Sequence, residues 1–420
     1  MAAPRRRRQT DTVRVATLDV QHSNRRSAVI VGPVRLPAIE DLTRRFAALA
    51  AVGPMARVGL QPSTSSTRWR YAPESVHQAV TETVLPDGAD PTTLLATLRQ
   101  GPPGGIRVLT AGDYLAIDFS HGLGEIPLLH TIIDVLFGCA DPADRSLWAP
   151  FHRPVSPLLV AGVRALGLGP HRLLPLWRQR RRDVDAAPAT QAPDTVAIIA
   201  SPATRIARIS GAELAETRAQ RDSALPGVSL FAIHTHALYE AFLDAGFDVA
   251  PTVTLPFDVR RYLPRGYDTL ASFTAGLDFE LDRQAGPGLL QAQMTAANST
   301  ARPVANLIAG TVKTRLALRS GRSAEWTVPD RPQLRILHSG IGTVPRSGQW
   351  PFTDPAEARL LVASDPTGPC GVTVTTSTVL GAVWLTAHFH DSLFDADRIG
   401  RALNSVAERT RSLIGASSHP

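Results

Sequence analysis

The stretch Tyr114-Leu-Ala-Ile-Asp-Phe-Ser-His-Gly-Leu-Gly-Glu-Ile-Pro-Leu-Leu-His-Thr-Ile-Ile-Asp-Val-Leu-Phe137 changes its apolar period halfway along. Leu115, Ile117 and Phe119 alternate with smaller or polar residues, which predicts a strand with one buried face. Leu128, Leu129, Ile132, Ile133 and Leu136 then recur at helical spacing. Pro127 sits where a first helical turn tolerates it, and Gly138 sits where a left-handed residue closes a helix. Between strand and helix lies Ser120-His-Gly-Leu-Gly-Glu125. A histidine thus leaves a strand end, followed by a glycine-permitted tight turn and a carboxylate near a helix start. Such a junction fixes the direction of an imidazole, the side chain suited to proton transfer near neutral pH.

Other readings of the same residues are weaker. Ser120 as a nucleophile lacks the Gly-x-Ser-x-Gly elbow that would expose it. His121, Glu125 and His130 do not follow the His-Glu-x-x-His pattern of a helical zinc site, so no metal is expected. His234 and His236 are two apart on a helix that Ser229 caps, hence on different faces, and are read as structural.

Four segments together carry a resemblance. Ser120 to Ile126 resembles the His-His-x-x-x-Asp-Gly motif of the acyltransferase superfamily that includes chloramphenicol acetyltransferase, nonribosomal peptide condensation domains, wax ester synthases and polyketide-associated acyltransferases. His121 falls on the second, catalytic histidine; Ser120, Glu125 and Ile126 stand where the first histidine, the aspartate and the glycine are expected. Thr252 to Pro264 resembles the strand and Asp-x-Arg-Arg-x-x-Pro segment of wax ester synthase-like members. Leu334 to Val344 resembles the strand ending in Ser-Asn-Ile-Gly, with Gly340 in the place of the asparagine. Ala382 to Leu413 resembles the C-terminal strand and closing helix, so the likeness runs from about residue 13 onward.

The resemblance implies an α/β fold of two chloramphenicol acetyltransferase-like lobes, residues 13–150 and 195–420, forming a V with a channel between them. A segment near 284–303 would cross between the halves. It implies transfer of an acyl group from a coenzyme A or phosphopantetheinyl carrier-protein thioester to a hydroxyl, or an amine, in natural product or lipid biosynthesis. The donor is then a substrate, no cofactor stays bound, and an acyl carrier protein is a candidate partner. His121 would be the general base and Glu125 an orienting group. Arg260 would reach Glu125, or pair locally with Asp258, or be solvated. Ser120 and Gly124 would support the turn, while Ser339 would shape the channel or donate to an oxyanion. The alternative is a non-catalytic relative that keeps the fold and binds a carrier protein or a lipid, as the changed motif positions would suit.

Composition sets the bounds. A chain of 420 residues has room for two ordinary domains. With 44% hydrophobic and 19% charged residues and a mean hydropathy of −0.02, it reads as globular. Residues 1–12 form a basic arm without the apolar stretch of a secretory signal, so a cytoplasmic location is expected. Cys139 and Cys370 fit neither a zinc nor a disulfide pattern. The net charge of +7 invites a nucleic-acid reading, but aromatic residues are only 6% and no nucleic-acid motif is present. The connecting segment 151–194 contains a run, Leu158 to Arg182, with six arginines and no acid. It reads as a linker helix with a solvated face or as a peripheral membrane contact. Strands are also expected at Val13–Val20 and Ala28–Val34, and a helix where Ile39, Leu42, Phe46 and Leu49 share a stripe.

Overall fold

Strand-forming runs cluster at two places in the chain, and they build two main sheets. The computed structural model describes residues 12–86, 88–100, 104–152, 155–185, 195–320, 327–346 and 349–416. The class is α/β, as expected.

The strand Tyr114–Ser120 is central in a five-stranded sheet ordered Arg359–Ser364, Arg26–Gly32, Tyr114–Ser120, Arg107–Ala111, Val80–Glu82. Its pairings with Arg26–Gly32 and Arg107–Ala111 are antiparallel. The expectation of one buried face is corrected, because every residue from Leu115 to Ser120 is buried. The polar face can be buried because its charge is matched: Asp118 pairs with Arg26 at 2.5 Å and with Arg107 at 2.9 Å.

The helix Ile126–Phe137 buries its stripe on this sheet and ends at Gly138 with φ of 77°, a left-handed cap that glycine adopts without strain. Ile39–Ala51 buries Leu42, Phe46 and Leu49 beside it. The expected strand at Val13–Val20 is another correction. Only Thr12–Arg14 is extended, and Thr17–His22 is helical. The Asp19 carboxylate accepts the Ala16 N–H at 2.9 Å, which turns the chain into the helix. That early helix delivers two residues to the site below.

The second sheet has the order Thr274–Glu280, Val249–Asp258, Leu334–Val344, Gly371–Val379, Ala382–His390, Pro202–Ile209. Leu334–Val344 runs parallel to both its neighbours, and the last two of these six strands are antiparallel to the strands they pair with. Gly211–Ala224 starts with the Ser210–Glu213 capping box, and Ser229 caps Leu230–Asp244. His234 and His236 are both buried on the latter helix.

The segment 284–303 starts in the second half and its end reaches the first, since Ala301 shares a buried cluster with Leu18. Helix Gly286–Ser299 keeps Leu290 and Ala297 in the second core. The next helix, Arg302–Ser320, packs Val304 and Leu307 with Leu18 of the early helix. Strand Arg359–Ser364 then pairs antiparallel with Arg26–Gly32, so the first sheet is completed by the C-terminal part of the chain.

Candidate active site

His121 opens a single 3-10 turn, His121–Leu123, immediately after its strand. Its backbone N–H donates to the Arg25 carbonyl at 2.8 Å. Arg57 clamps the rest of the turn, donating to the Leu123 carbonyl and to the Gly122 carbonyl at 3.1 Å while pairing with buried Asp19 at 2.6 Å. Gly122 is required by close approach: a Cβ there would overlap the Asp19 carbonyl oxygen and lie 2.8 Å from Ser23 Cα. A Cβ on Gly124 would overlap the Leu270 carbonyl oxygen. Elements from both parts of the chain therefore close on the turn, which fixes the histidine's direction.

The imidazole Nδ1 lies 3.3 Å from Ser27 Oγ, and Ser27 Oγ lies 2.8 Å from Ser364 Oγ. With the proton on Nδ1, the line runs from Nδ1–H to Ser27 and from the Ser27 hydroxyl to Ser364, leaving Nε2 with a free lone pair. Nε2 faces Glu125 Oε1 at 3.9 Å, too far for a hydrogen bond. Burial, and next the charge of Arg25, push the imidazole well below its ordinary pKa, although Glu125 opposes them. His121 is therefore neutral at physiological pH. A second imidazole stands edge-on to it: the His22 ring centroid is 5.6 Å away.

Glu125 lies in a cradle of donors. Oε1 accepts from Ser272 Oγ at 2.7 Å and from Thr274 Oγ1; Oε2 accepts from the Phe273 N–H at 3.0 Å and from Arg260 Nη1 at 3.2 Å. Desolvation alone would raise its pKa, but Arg260, His121 and these hydrogen bonds outweigh it and hold the carboxyl below its usual range. Two of the readings for Arg260 hold at once. It meets Glu125, and it also pairs with Asp258 at 3.1 Å and Asp268 at 3.3 Å while donating to the Thr269 and Ala271 carbonyls. The third, a solvated guanidinium, does not hold, since its side chain is 10% exposed.

His121, Glu125, Arg260 and Ser339 line one cavity of about 230 Å³, walled by both sheets. Ile126, at the motif's glycine position, adds its side chain to the wall. Ser120 does not line it; its hydroxyl is buried and donates to the Ser23 carbonyl at 3.0 Å, tying the strand end to the early helix. Gly124 lies behind the wall as a packing point. His130 packs against Trp350, with ring centroids 5.5 Å apart. Among the described residues no cluster of three or more His, Cys, Asp or Glu is arranged to hold a metal.

Sequence reasoning missed His22, Arg25, Ser27 and Ser364, all of which line the cavity. The first two follow the segment misread as a strand, and the serines meet only through the strand pairing across the sheet. The one available signal was polarity: Ser27 and Ser364 stand beside apolar strand runs.

No protein-family model matches the chain, and no curated protein sequence matches it. Solved structures do. Trichothecene 15-O-acetyltransferase from Fusarium sporotrichioides superposes with a TM-score of 0.64 at 10% identity, over 96% of this chain and 95% of that one. The cyclization-docking bidomain of the EpoB nonribosomal peptide synthetase from Sorangium cellulosum gives 0.60 at 12% identity, over 100% and 86%. Polyketide synthase associated protein 5 from Mycobacterium tuberculosis gives 0.51 at 13% identity, over 98% of both chains. The chain therefore shares the fold of these three structures.

Proposed function

We propose that this protein transfers an acyl group from a coenzyme A or carrier-protein thioester to a hydroxyl, or an amine, with His121 as general base. The observation that carries the reading is the placement of the His121 imidazole, whose Nδ1 lies 3.3 Å from Ser27 Oγ and whose Nε2 has no hydrogen bond among the described residues, at a cavity walled by both sheets. In the reaction Nε2 takes the proton of the acceptor while the acceptor oxygen or nitrogen attacks the thioester carbonyl. The tetrahedral intermediate then collapses, the C–S bond breaks, and the imidazolium returns the proton to the leaving thiolate. Glu125 stabilises the transient imidazolium through space and, bound to Arg260, Ser272, Phe273 and Thr274, anchors the turn. Ser339, on the cavity wall, is the hydroxyl read as shaping the acyl path or donating to the oxyanion.

The arginine-rich segment supports a peripheral contact with an anionic lipid surface. Leu159, Val163, Leu168, Leu173, Leu174 and Trp177 are all exposed there, amid a positive charge that an anionic bilayer would complement. No helix among the described residues is long and apolar enough to cross a membrane.

The experiment is release of free thiol from a series of acyl-coenzyme A donors of increasing chain length, with mixed alcohol and amine acceptors. Carrier-protein-bound donors follow if coenzyme A fails. Failure with every donor class would leave the non-catalytic reading in its place.

A further inference from the structure

Three residues on the wall of the His121 cavity hold buried polar atoms that no protein group meets: Arg25 Nε, His22 Nε2 and Thr373 Oγ1. Leaving such atoms without partners is costly, and most of all for a cation. Among the described residues Arg25 has no ion pair, and its guanidinium has no hydrogen bond.

The anions that would neutralise it are already engaged. Asp365 accepts from Arg99 Nη1 at 2.5 Å and from the Arg26 N–H at 2.7 Å. Glu125 has its four donors. The adjacent Arg26, by contrast, is fully used, with Asp118 and the Leu98 carbonyl as partners. Two neighbouring arginines thus differ in kind: one finishes the sheet, and the other lines the cavity with no carboxylate at ion-pair distance, Asp365 and Glu125 acting on it only from further away.

We propose that Arg25 binds a substrate carboxylate carried close to the group that reacts at His121. The closeness follows from the backbone, since the Arg25 carbonyl receives the His121 N–H and both side chains line the same space. A planar guanidinium takes a carboxylate in two parallel hydrogen bonds, and His22 and Thr373 line the same cavity. The phosphates of coenzyme A or of a carrier arm do not fit this position, because the whole pantetheine arm separates them from the reacting carbonyl. The carboxylate therefore belongs to the acceptor or to the acyl group. Assigning it to the acceptor rests on the acyl-transfer reading; the anion site itself does not.

The test is calorimetric titration of the full chain with ω-hydroxycarboxylates from glycolate to 6-hydroxyhexanoate, beside the matching diols. Succinyl and butyryl thioesters of N-acetylcysteamine form the donor arm. Wild type, Arg25→Gln and Arg25→Lys are compared, and each is melted without ligand. The expected result is that at least one acid binds about tenfold or more tightly than its neutral counterpart. Arg25→Gln should erase that preference and Arg25→Lys keep part of it. Arg25→Gln should also melt no lower than wild type, because an unmatched buried cation has been removed. A preference seen only for succinyl over butyryl supports the site and puts the carboxylate on the donor. The proposal is overturned if no carboxylate outbinds its neutral partner, if the preference survives Arg25→Gln, or if Arg25→Gln melts well below wild type. A charge preference without thiol release would keep the anion site and reject acyl transfer.

Discussion

Replacing Glu125 by Gln keeps the side chain's shape and removes its charge. The hydroxyls of Ser272 and Thr274 can rotate to accept from an amide placed on the Oε1 side, so those contacts survive. What is lost is the charge facing Arg260. Removing one partner of a buried pair costs about 3–5 kcal/mol. Here Arg260 keeps Asp258, Asp268 and two carbonyls, so the expected loss is that of one charge-assisted hydrogen bond, about 2 kcal/mol. A catalytic loss should accompany it. Two unit charges 4 Å apart interact by about 4 kcal/mol at an effective dielectric of 20, and Glu125 lies 3.9 Å from His121 Nε2. Arg260 cancels part of this from the other oxygen, so kcat/KM should fall by less than the roughly thousandfold that about 4 kcal/mol would give, but measurably. Urea unfolding of Glu125→Gln, Arg260→Met and the double variant measures the coupling directly. A coupling energy under about 0.5 kcal/mol would refute the account of the cradle.

Ser27→Ala removes the hydroxyl that meets Nδ1, a hydrogen bond of about 1 kcal/mol, so kcat should fall about five- to tenfold with KM little changed, as steady-state kinetics will show. Gly122→Ala forces a methyl onto the Asp19 carbonyl and Ser23, and should lower stability by about 3 kcal/mol or more in chemical unfolding. Acid should destabilise the fold early. Burial, the leading cause in each, lowers His130 and His234 to about 4 and His338 to about 3, from an ordinary 6.5. The unfolded chain therefore binds more protons between these values, and stability is lost as pH falls from about 6.5 toward 4. The three together give a slope of at most about 4 kcal/mol per pH unit. A melting temperature unchanged between pH 7 and 5 would contradict this.

The sequence made the strand-turn-helix around His121 legible because period, proline and glycine all agreed there. The Glu125–Arg260 contact was legible only as one of three readings, since no single-chain pattern says which distant arginine meets a carboxylate. The donors Ser272 and Thr274 were not legible at all, as hydroxyl residues in a polar segment carry no periodic signal. His22 and Arg25 were lost for a local reason: Val13, Val15 and Val20 suggest a strand, and the Asp19 carboxylate overrides that propensity by accepting the Ala16 N–H and starting a helix. The strand Arg359–Ser364, which brings Ser364 to Ser27, joins a sheet whose other strands lie more than two hundred residues earlier.

The most direct measurement of the central claim is kcat/KM for thiol release by wild type and His121→Gln, with the best donor and acceptor, beside thermal melts of both. With His121 as general base, the variant should lose about 10²–10⁴-fold and keep its melting temperature. Equal turnover by the two proteins would contradict it.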